Sequence, residues 1–292
     1  MAIGLIDVGG SSIKFGALVD DKLVGETSKK TPDNLTDFYG VLTEQIEKYK
    51  VEYGITGVGI SSPGAVDVNT GIIGGASAIP YIHHFNIRAE FEQSFGLPVE
   101  IENDANCAAL AEVDSGVAKG KENVVFLVLG SGVGGALIIN GKIYHGSHLL
   151  GGEFGYMLVD QQHITSELAT ISHEAVMYNE EQKPTNDLSG EELYKLAESG
   201  DEQAKKYVDQ MFFTLGKTIF NLQYSIDPEM FVLGGGISNN PTLLSGVEKA
   251  VQEVKDIVEI GEVLPTVAIA HYKSEANLIG AGVHFAQMQA TK

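Results

Sequence analysis

The feature that most constrains this chain is a pattern that occurs twice. Near the start, the apolar run Ile3–Val8 meets Gly9-Gly10-Ser11-Ser12 and then a second apolar run, Ile13–Val19. Further on, Asn123–Leu129 meets the stretch Gly130–Gly135 and a second run, Ala136–Asn140, with another turn starting at Gly141. Each reads as a buried strand, a tight turn and a returning strand. Two halves that open alike imply a duplicated α/β fold with a cleft between them. No long Pro- or Ser-rich linker separates the halves, so close packing with a hinge is expected.

The remaining elements follow from period and punctuation. Lys22–Ser28 is a third strand, Asp33–Tyr49 has helical spacing, and Ile55–Ser61 and Pro98–Glu102 are further strands. Asn103–Val113 is Ala-rich and helical. Helices follow around Gly190–Gly200 and Asp201–Ser225, then a strand at Met230–Leu233 closed by Gly234-Gly235-Gly236. Leu243–Val258 is helical, Thr266–Ala270 a strand and Glu275–Gln289 a terminal helix. These place an N-terminal domain over 1–115, completed by the helix at about 275–292, and a larger domain over 116–274. The polar segment Gln161–Leu188, with Pro184, reads as a candidate mobile flap.

Charge excludes several functions. The formal net charge is -20, whereas nucleic-acid binding draws most of its affinity from basic residues against phosphate. Neither nucleic acid nor an anionic membrane is an expected partner. Cys107 is the only cysteine, so an internal disulfide and a cysteine-built zinc site are excluded. No secretory signal and no membrane-length apolar run is present, so a cytoplasmic location is expected.

Several motifs carry chemistry. Asp7 ends a strand before Gly9, Gly10 and Ser11, with Lys14 beyond. Glycines let backbone N–H groups approach phosphate oxygens, and a carboxylate there suits hydrated Mg²⁺; a plain hairpin turn is the alternative. Gly130-Ser131-Gly132-Val-Gly134-Gly135 matches G-x-G-x-x-G, but that fingerprint requires a following helix and a strand follows here. A second phosphate clamp fits better. The glycines at 234–236 could lie flat against a purine, or simply form a turn. Asn103 and Asp104 open an Ala-rich helix, where an ordinary N-cap is the plain reading. A functional Asp104 would be held ionised by the helix dipole, with a low pKa. Glu153, set among glycines, suits sugar hydroxyls. His83-His84 and the pair His145 and His148 lack a carboxylate at ligand spacing and read as surface or loop histidines.

Taken in order, Asp7-Gly-Gly-Ser, Ser62-Pro63-Gly64-Ala-Val-Asp67, Asn103-Asp104-Ala-Asn106, the turn at 130–135, Gly152-Glu153 and Gly234-Gly235-Gly236 resemble the ROK family of bacterial sugar kinases and sugar-responsive repressors. The resemblance spans nearly the whole chain. It implies an actin-like ATPase (ribonuclease H-like) fold of two domains around a cleft, binding ATP, Mg²⁺ and a small-molecule sugar, in a homodimer. Asp104 would be the catalytic base. Gly64, Asn103, Asp104, Glu153 and Tyr156 would face the sugar. Asp7, Gly9, Gly10, Ser11 and Lys14 would face phosphate, with Asp7 holding Mg²⁺ through water. Gly130, Ser131 and Gly132 would face it from the other side, and Gly234 and Gly235 would meet adenosine.

Two departures matter. Tyr156 stands where many members have histidine, and Val159–Ser172 lacks the zinc cysteines, so zinc is not expected. The sugar-binding glutamate that follows those cysteines falls at Glu167, or its position at Leu168. These features are similar to zinc-free members, including β-glucoside kinases. The implied activity is ATP-dependent phosphorylation of a hexose hydroxyl, at C6, on glucose or a β-glucoside. N-acetylmannosamine and fructose are alternatives, as is a non-catalytic sugar-binding regulator. A repressor's helix-turn-helix domain has no room ahead of Asp7, and a Rossmann dehydrogenase lacks its helix.

Overall fold

The computed structural model describes residues 2–291. The chain divides into two compact units. One holds the chain up to Lys119, the segment His145–Leu150 and the chain from Ser274 onward; the other holds Gly120–Tyr144 and Gly151–Lys273.

The first unit is built on a five-stranded sheet. Strands β1 (Ala2–Val8), β2 (Ser12–Val19) and β3 (Lys22–Lys30) form an antiparallel meander. β4 (Val58–Ser62) and β7 (Val99–Asn103) then add in parallel beside β1, giving the order β3-β2-β1-β4-β7. Between them lies a small hairpin, β5 (Ala65–Asp67) and β6 (Ile72–Gly74).

Alternation along β1 decides what faces what. Ile6 and Val8 join the core formed with helices α1 (Leu35–Tyr53) and α2 (Ile87–Phe95), through Phe38, Leu42, Phe91 and Phe95. Ile3 and Leu5 point the other way, onto Leu278 and Phe285 of α9 (Ala276–Ala290). Asp7 shares that second face, which is how the start of the chain meets its last helix. Helix α3 (Asp104–Asp114) packs on α9 so closely that a Cβ on Gly280 would lie 1.7 Å from the Cys107 carbonyl oxygen. Cys107 itself is fully buried, as a small packing residue.

The second unit repeats the topology. β8 (Val124–Leu129), β9 (Val133–Ile139) and β10 (Lys142–Ile143) run antiparallel, and β11 (Met230–Gly234) and β12 (Val267–Ile269) add in parallel, in the order β10-β9-β8-β11-β12. Val125, Leu127 and Leu129 pack onto Leu215, Ile219 and Leu222 of α7 (Glu202–Ile226) and Val247 and Val251 of α8 (Leu243–Ile257). The duplicated opening seen in the sequence is therefore a duplicated sheet. Each buried Leu, Ile or Phe contributes about 1.5–3 kcal/mol by leaving water, so the apolar faces of both sheets drive both units.

Two expectations change, and one helix is new. The turn expected over 130–135 is shorter, because β9 begins at Val133. Gly135 belongs in that strand because a Cβ there would meet the carbonyl oxygens of Gly152 and Phe126 at 2.7 Å. The segment 161–188, expected as a mobile flap, contains α4 (Thr165–Leu168) and α5 (Ile171–Gln182), with Leu168, Ala175 and Tyr178 buried. The Glu167 carboxylate accepts from Ile164 N at 2.9 Å and starts the first of these. Helix α2 was not anticipated, although Ile87, Phe91 and Phe95 recur at the spacing of one helical face. No helix among the described residues is long and apolar enough to cross a membrane.

Candidate active site

Asp7 is buried at the end of β1, and its surroundings fix its orientation. Ser61 Oγ of the neighbouring β4 and Asn277 Nδ2 of α9 each donate to Asp7 Oδ1 at 3.0 Å. Lys14 Nζ lies 3.7 Å from Oδ2 and donates to the Ser274 carbonyl at 3.2 Å. Gly9 N donates to Ser12 O across the turn, and Thr31 Oγ1 donates to Gly9 O at 2.6 Å. Gly10 and Ser11 at the tip are exposed. The turn thus presents the exposed Gly10 and Ser11 beside a braced carboxylate, while the Gly9 N–H and carbonyl are used within the turn. Such a carboxylate, with open glycine backbone next to it, fits a hydrated Mg²⁺ carrying phosphate.

The second constellation sits where β7 runs into α3. Asn103 caps the helix: its Oδ1 accepts from Ala105 N at 2.9 Å and Asn106 N at 3.2 Å. Its Nδ2 donates to Gly64 O at 3.1 Å and to Asp104 Oδ1 at 2.9 Å. All four hydrogen-bonding positions of this amide are therefore used within the chain. A sugar hydroxyl reaching Asn103 must displace one of them. Asp104 Oδ1 also accepts from Ala105 N at 2.9 Å, whereas Oδ2 receives no hydrogen bond among the described residues.

Burial raises the Asp104 pKa to about 6; hydrogen bonds from Ala105 N and Asn103 pull it down, and the Asp7 charge adds to the rise. The low value expected from the helix dipole is thus overturned, because burial beside a second carboxylate outweighs the dipole.

Gly64 holds φ 100°, a conformation that strains any other residue. A Cβ there would also meet His83 Cε1 at 2.9 Å. His83 is buried rather than at the surface. Its Nε2 bonds Ser77 Oγ at 2.7 Å and its Nδ1 bonds Gly74 O at 3.1 Å. His145 is also engaged, with Nε2 2.7 Å from Glu102 Oε2. His84 and His148 are exposed, as expected.

In the second unit, Gly130, Ser131 and Gly132 line a pocket of about 440 Å³ with Glu153, Gly155, Tyr156 and Ser166. Ser166 Oγ accepts from Val133 N at 3.0 Å and holds the turn against α4. Glu153 and Tyr156 are both exposed, Tyr156 at 71%. Of the two candidates for the missing glutamate, Leu168 is 6% exposed and lies in the interior, while Glu167 is part-exposed and occupied as the cap of α4.

A larger pocket of about 670 Å³ also has Gly130 in its wall. Its walls include Ile171, Tyr194, Gly236, Ile237 and Pro241, with Asn239, Asn240, Glu191 and Lys195 as polar groups. A Cβ on Gly130 or Gly236 would meet nothing within 4 Å and would project into open space. A cavity of this size, with apolar walls and a few polar groups, fits a nucleoside. Gly234 and Gly235 do not line it. Gly234 ends β11, buried against the Phe126 ring. Gly235 turns the chain at φ 89°, where a Cβ would strike Leu129 O at 2.2 Å. The residue that faces the space is Gly236.

The model of the ROK family matches residues 3–287. The chain belongs to the ROK family. Among its relatives, the β-glucoside kinase of Listeria monocytogenes is 30% identical over 98% of both chains. A ROK family protein from Streptococcus pneumoniae TIGR4, solved in complex with sucrose, superposes with a TM-score of 0.90 at 38% identity, covering 100% of both chains. The ROK hexokinase of Thermus thermophilus superposes at 0.85 with 27% identity, over 99% of this chain and 100% of that one. The two repeated sheets are those of the actin-like ATPase fold that ROK sugar kinases share. Sequence reasoning gave no site role to Ser61, Asn277, Glu102, His145 or Gly236; Gly236 lay inside a quoted glycine run, Glu102 beside the Asn103–Asp104 motif, and His145 was read as a surface or loop histidine.

Proposed function

We propose that the protein transfers the γ-phosphoryl group of ATP to a hexose hydroxyl, with Asp104 as the base. The observation that carries this reading is the state of the Asp104 carboxylate. One oxygen is pinned by Asn103 and Ala105, the other is free, and its pKa of about 6 leaves it ionised at neutral pH yet more basic than an ordinary aspartate. Asp104 Oδ2 accepts the hydroxyl proton as the oxygen attacks. Asn103 holds the carboxylate and Gly64 in register, and Gly64 and Glu153 take sugar hydroxyls.

Asp7 would hold Mg²⁺ through water, with Gly9, Gly10, Ser11 and Lys14 along the phosphates; the metal supplies charge neutralisation as the phosphoryl group moves. Gly130, Ser131 and Gly132 serve the phosphates, and the pocket walled by Gly236 and Ile237 takes the adenosine. The exposed Tyr156 ring beside Glu153 favours a β-glucoside, since a flat apolar face suits a second ring. The name of the Listeria relative supports the same substrate class. Homodimerisation and a cytoplasmic location belong to the proposal on the family resemblance, and light scattering checks the first.

The test is ADP release from Mg-ATP against glucose, cellobiose, fructose, N-acetylmannosamine and N-acetylglucosamine. At least one sugar should turn over, and Asp104→Asn should lower kcat by about 10²–10⁴ while the sugar still raises Tm. A sugar that raises Tm without any turnover in the wild type would make the protein a binder and remove the base from Asp104.

A further inference from the structure

Directly behind the Asn103–Asp104 corner lies a carboxylate that the reaction does not use. Glu102 is fully buried on β7. Its Oε1 accepts from the backbone N of Asn103 at 2.7 Å and from Asn106 Nδ2 at 3.0 Å. Its Oε2 takes His145 Nε2 at 2.7 Å. One side chain thereby ties the cap residue, the first turn of α3 and the segment His145–Leu150 together.

We propose that Glu102 and His145 are positioning residues for the catalytic corner: His145 anchors Glu102, and Glu102 fixes Asn103, which aims Asp104. The inference rests on the reading of Asp104 as the base.

The chain of contacts supplies the mechanism. Asn103 can brace Asp104 and Gly64 only if its own backbone is fixed, and the Glu102 carboxylate is the acceptor for its N–H. A buried carboxylate is costly unless paired. Burial raises the Glu102 pKa, but the His145 hydrogen bond and the charges of His284 and His145 pull harder, and the net direction is down. The hydrogen bond to Glu102 in turn raises the His145 pKa. His284 of α9 approaches Oε2 only to 3.8 Å, and burial favours its neutral form. His145, hydrogen-bonded at 2.7 Å where His284 stands at 3.8 Å, is therefore the closer partner of Glu102. Other groups face this pair: Asn106 and Cys107 from α3, Asp67 toward His145, and Glu100 and Arg88 toward His284. None of them makes a charge-pairing contact with Glu102.

The experiment compares wild type, His145→Ala, His145→Gln and Glu102→Gln. The readouts are kcat, sugar KM, Tm and a ¹³C NMR titration of the Asp104 carboxyl without substrate, assigned with Asp104→Asn. His145→Ala should lower kcat at least tenfold with a smaller change in KM. It should also move the Asp104 midpoint upward by about half a pH unit or more, because the Asn103 hydrogen bond that lowers it loosens. His145→Gln, which restores a donor to Glu102, should recover most of both. An Asp104 midpoint that stays in place overturns the proposal, whatever happens to kcat or Tm, since a merely structural role lowers stability without moving it. If His145→Ala does not fold, Glu102→Gln makes the same comparison. If the wild type phosphorylates no sugar, the kinase reading fails separately and the NMR midpoint alone decides this one.

Discussion

Glu174 offers the sharpest test of the energetics, because it breaks a rule of burial. It lies in the first turn of α5, is 0% exposed, and neither carboxylate oxygen has a hydrogen-bond partner among the described residues. Burial raises its pKa from 4.5 to about 8. The helix dipole at that position favours the anion by only about 0.3–1 kcal/mol, too little to oppose the shift. At neutral pH the native protein therefore carries a protonated acid where the unfolded chain carries an anion. The folded state binds the extra proton, so stability falls as pH rises between the two values, at about 1.4 kcal/mol per pH unit. From pH 5.5 to 7.5 this group alone removes about 2–3 kcal/mol. Above pH 8 both states are ionised and the loss levels off. Glu174→Gln keeps the shape and the buried polar cost but cannot titrate. The stability of the variant relative to wild type should thus grow by about 2–3 kcal/mol over that window, a relative Tm gain of about 3–5 °C. Far-UV circular dichroism is the readout, because the chain has no tryptophan. The difference between the two proteins, not either curve, is the measurement, so the other acidic groups cancel. A difference that stays flat from pH 5.5 to 7.5 would refute the reasoning, since it would mean that Glu174 is ionised in the native state.

The Asp104 pKa of about 6 predicts an acid limb in kcat/KM: activity should fall about tenfold per pH unit below that value, as the base is protonated, and a limb near 4 would contradict the burial argument. Gly280→Ala places a Cβ into the Cys107 carbonyl and should cost at least about 1–3 kcal/mol as α3 and α9 are forced apart. Gly40→Ala, in α1 with nothing within 4 Å of the added Cβ, should instead stabilise by about 0.5–1 kcal/mol. Urea unfolding of the two variants beside wild type checks both signs.

What was legible in the sequence was whatever a short window records. The two strand–turn–strand openings, the cap at Asn103 and the carboxylate ending β1 all lie within a few residues of the feature that reveals them. Helix α5 was lost because Glu174 occupies a buried position on it and so erased the apolar stripe that would have marked it. The same reversal hid Glu102. In β7, Val99 and Ile101 alternate with Glu100 and Glu102, a pattern that normally means one wet face. Here both carboxylates turn toward α9, where Gln289 donates to Glu100 at 2.9 Å and His284 lies beside Glu102. An alternating pattern states that two faces differ; it does not state that the polar face meets water.

The partners of the site residues were illegible for a related reason. Asp7 is oriented by Asn277, 270 positions away, and Glu102 by His145, 43 positions away. Neither partner carries a motif, because an amide or an imidazole in a helix or loop has an ordinary explanation until its neighbour is known. Motifs record the groups that touch a ligand through backbone shape or local caps. The residues that hold those groups in place are chosen by the tertiary fold, and their signature is a buried polar atom satisfied from far along the chain. In this protein that signature lies behind the two candidate site carboxylates of the first unit: Asp7, held by Ser61 and Asn277, and Asp104, held through Asn103 by Glu102 and His145. Since each brace arrives on a separate element, the geometry of Asp7 depends on the packing of β4 and α9, and that of the base Asp104 on β7 and the segment His145–Leu150; a change at any of these contacts should appear in kcat before it appears in stability.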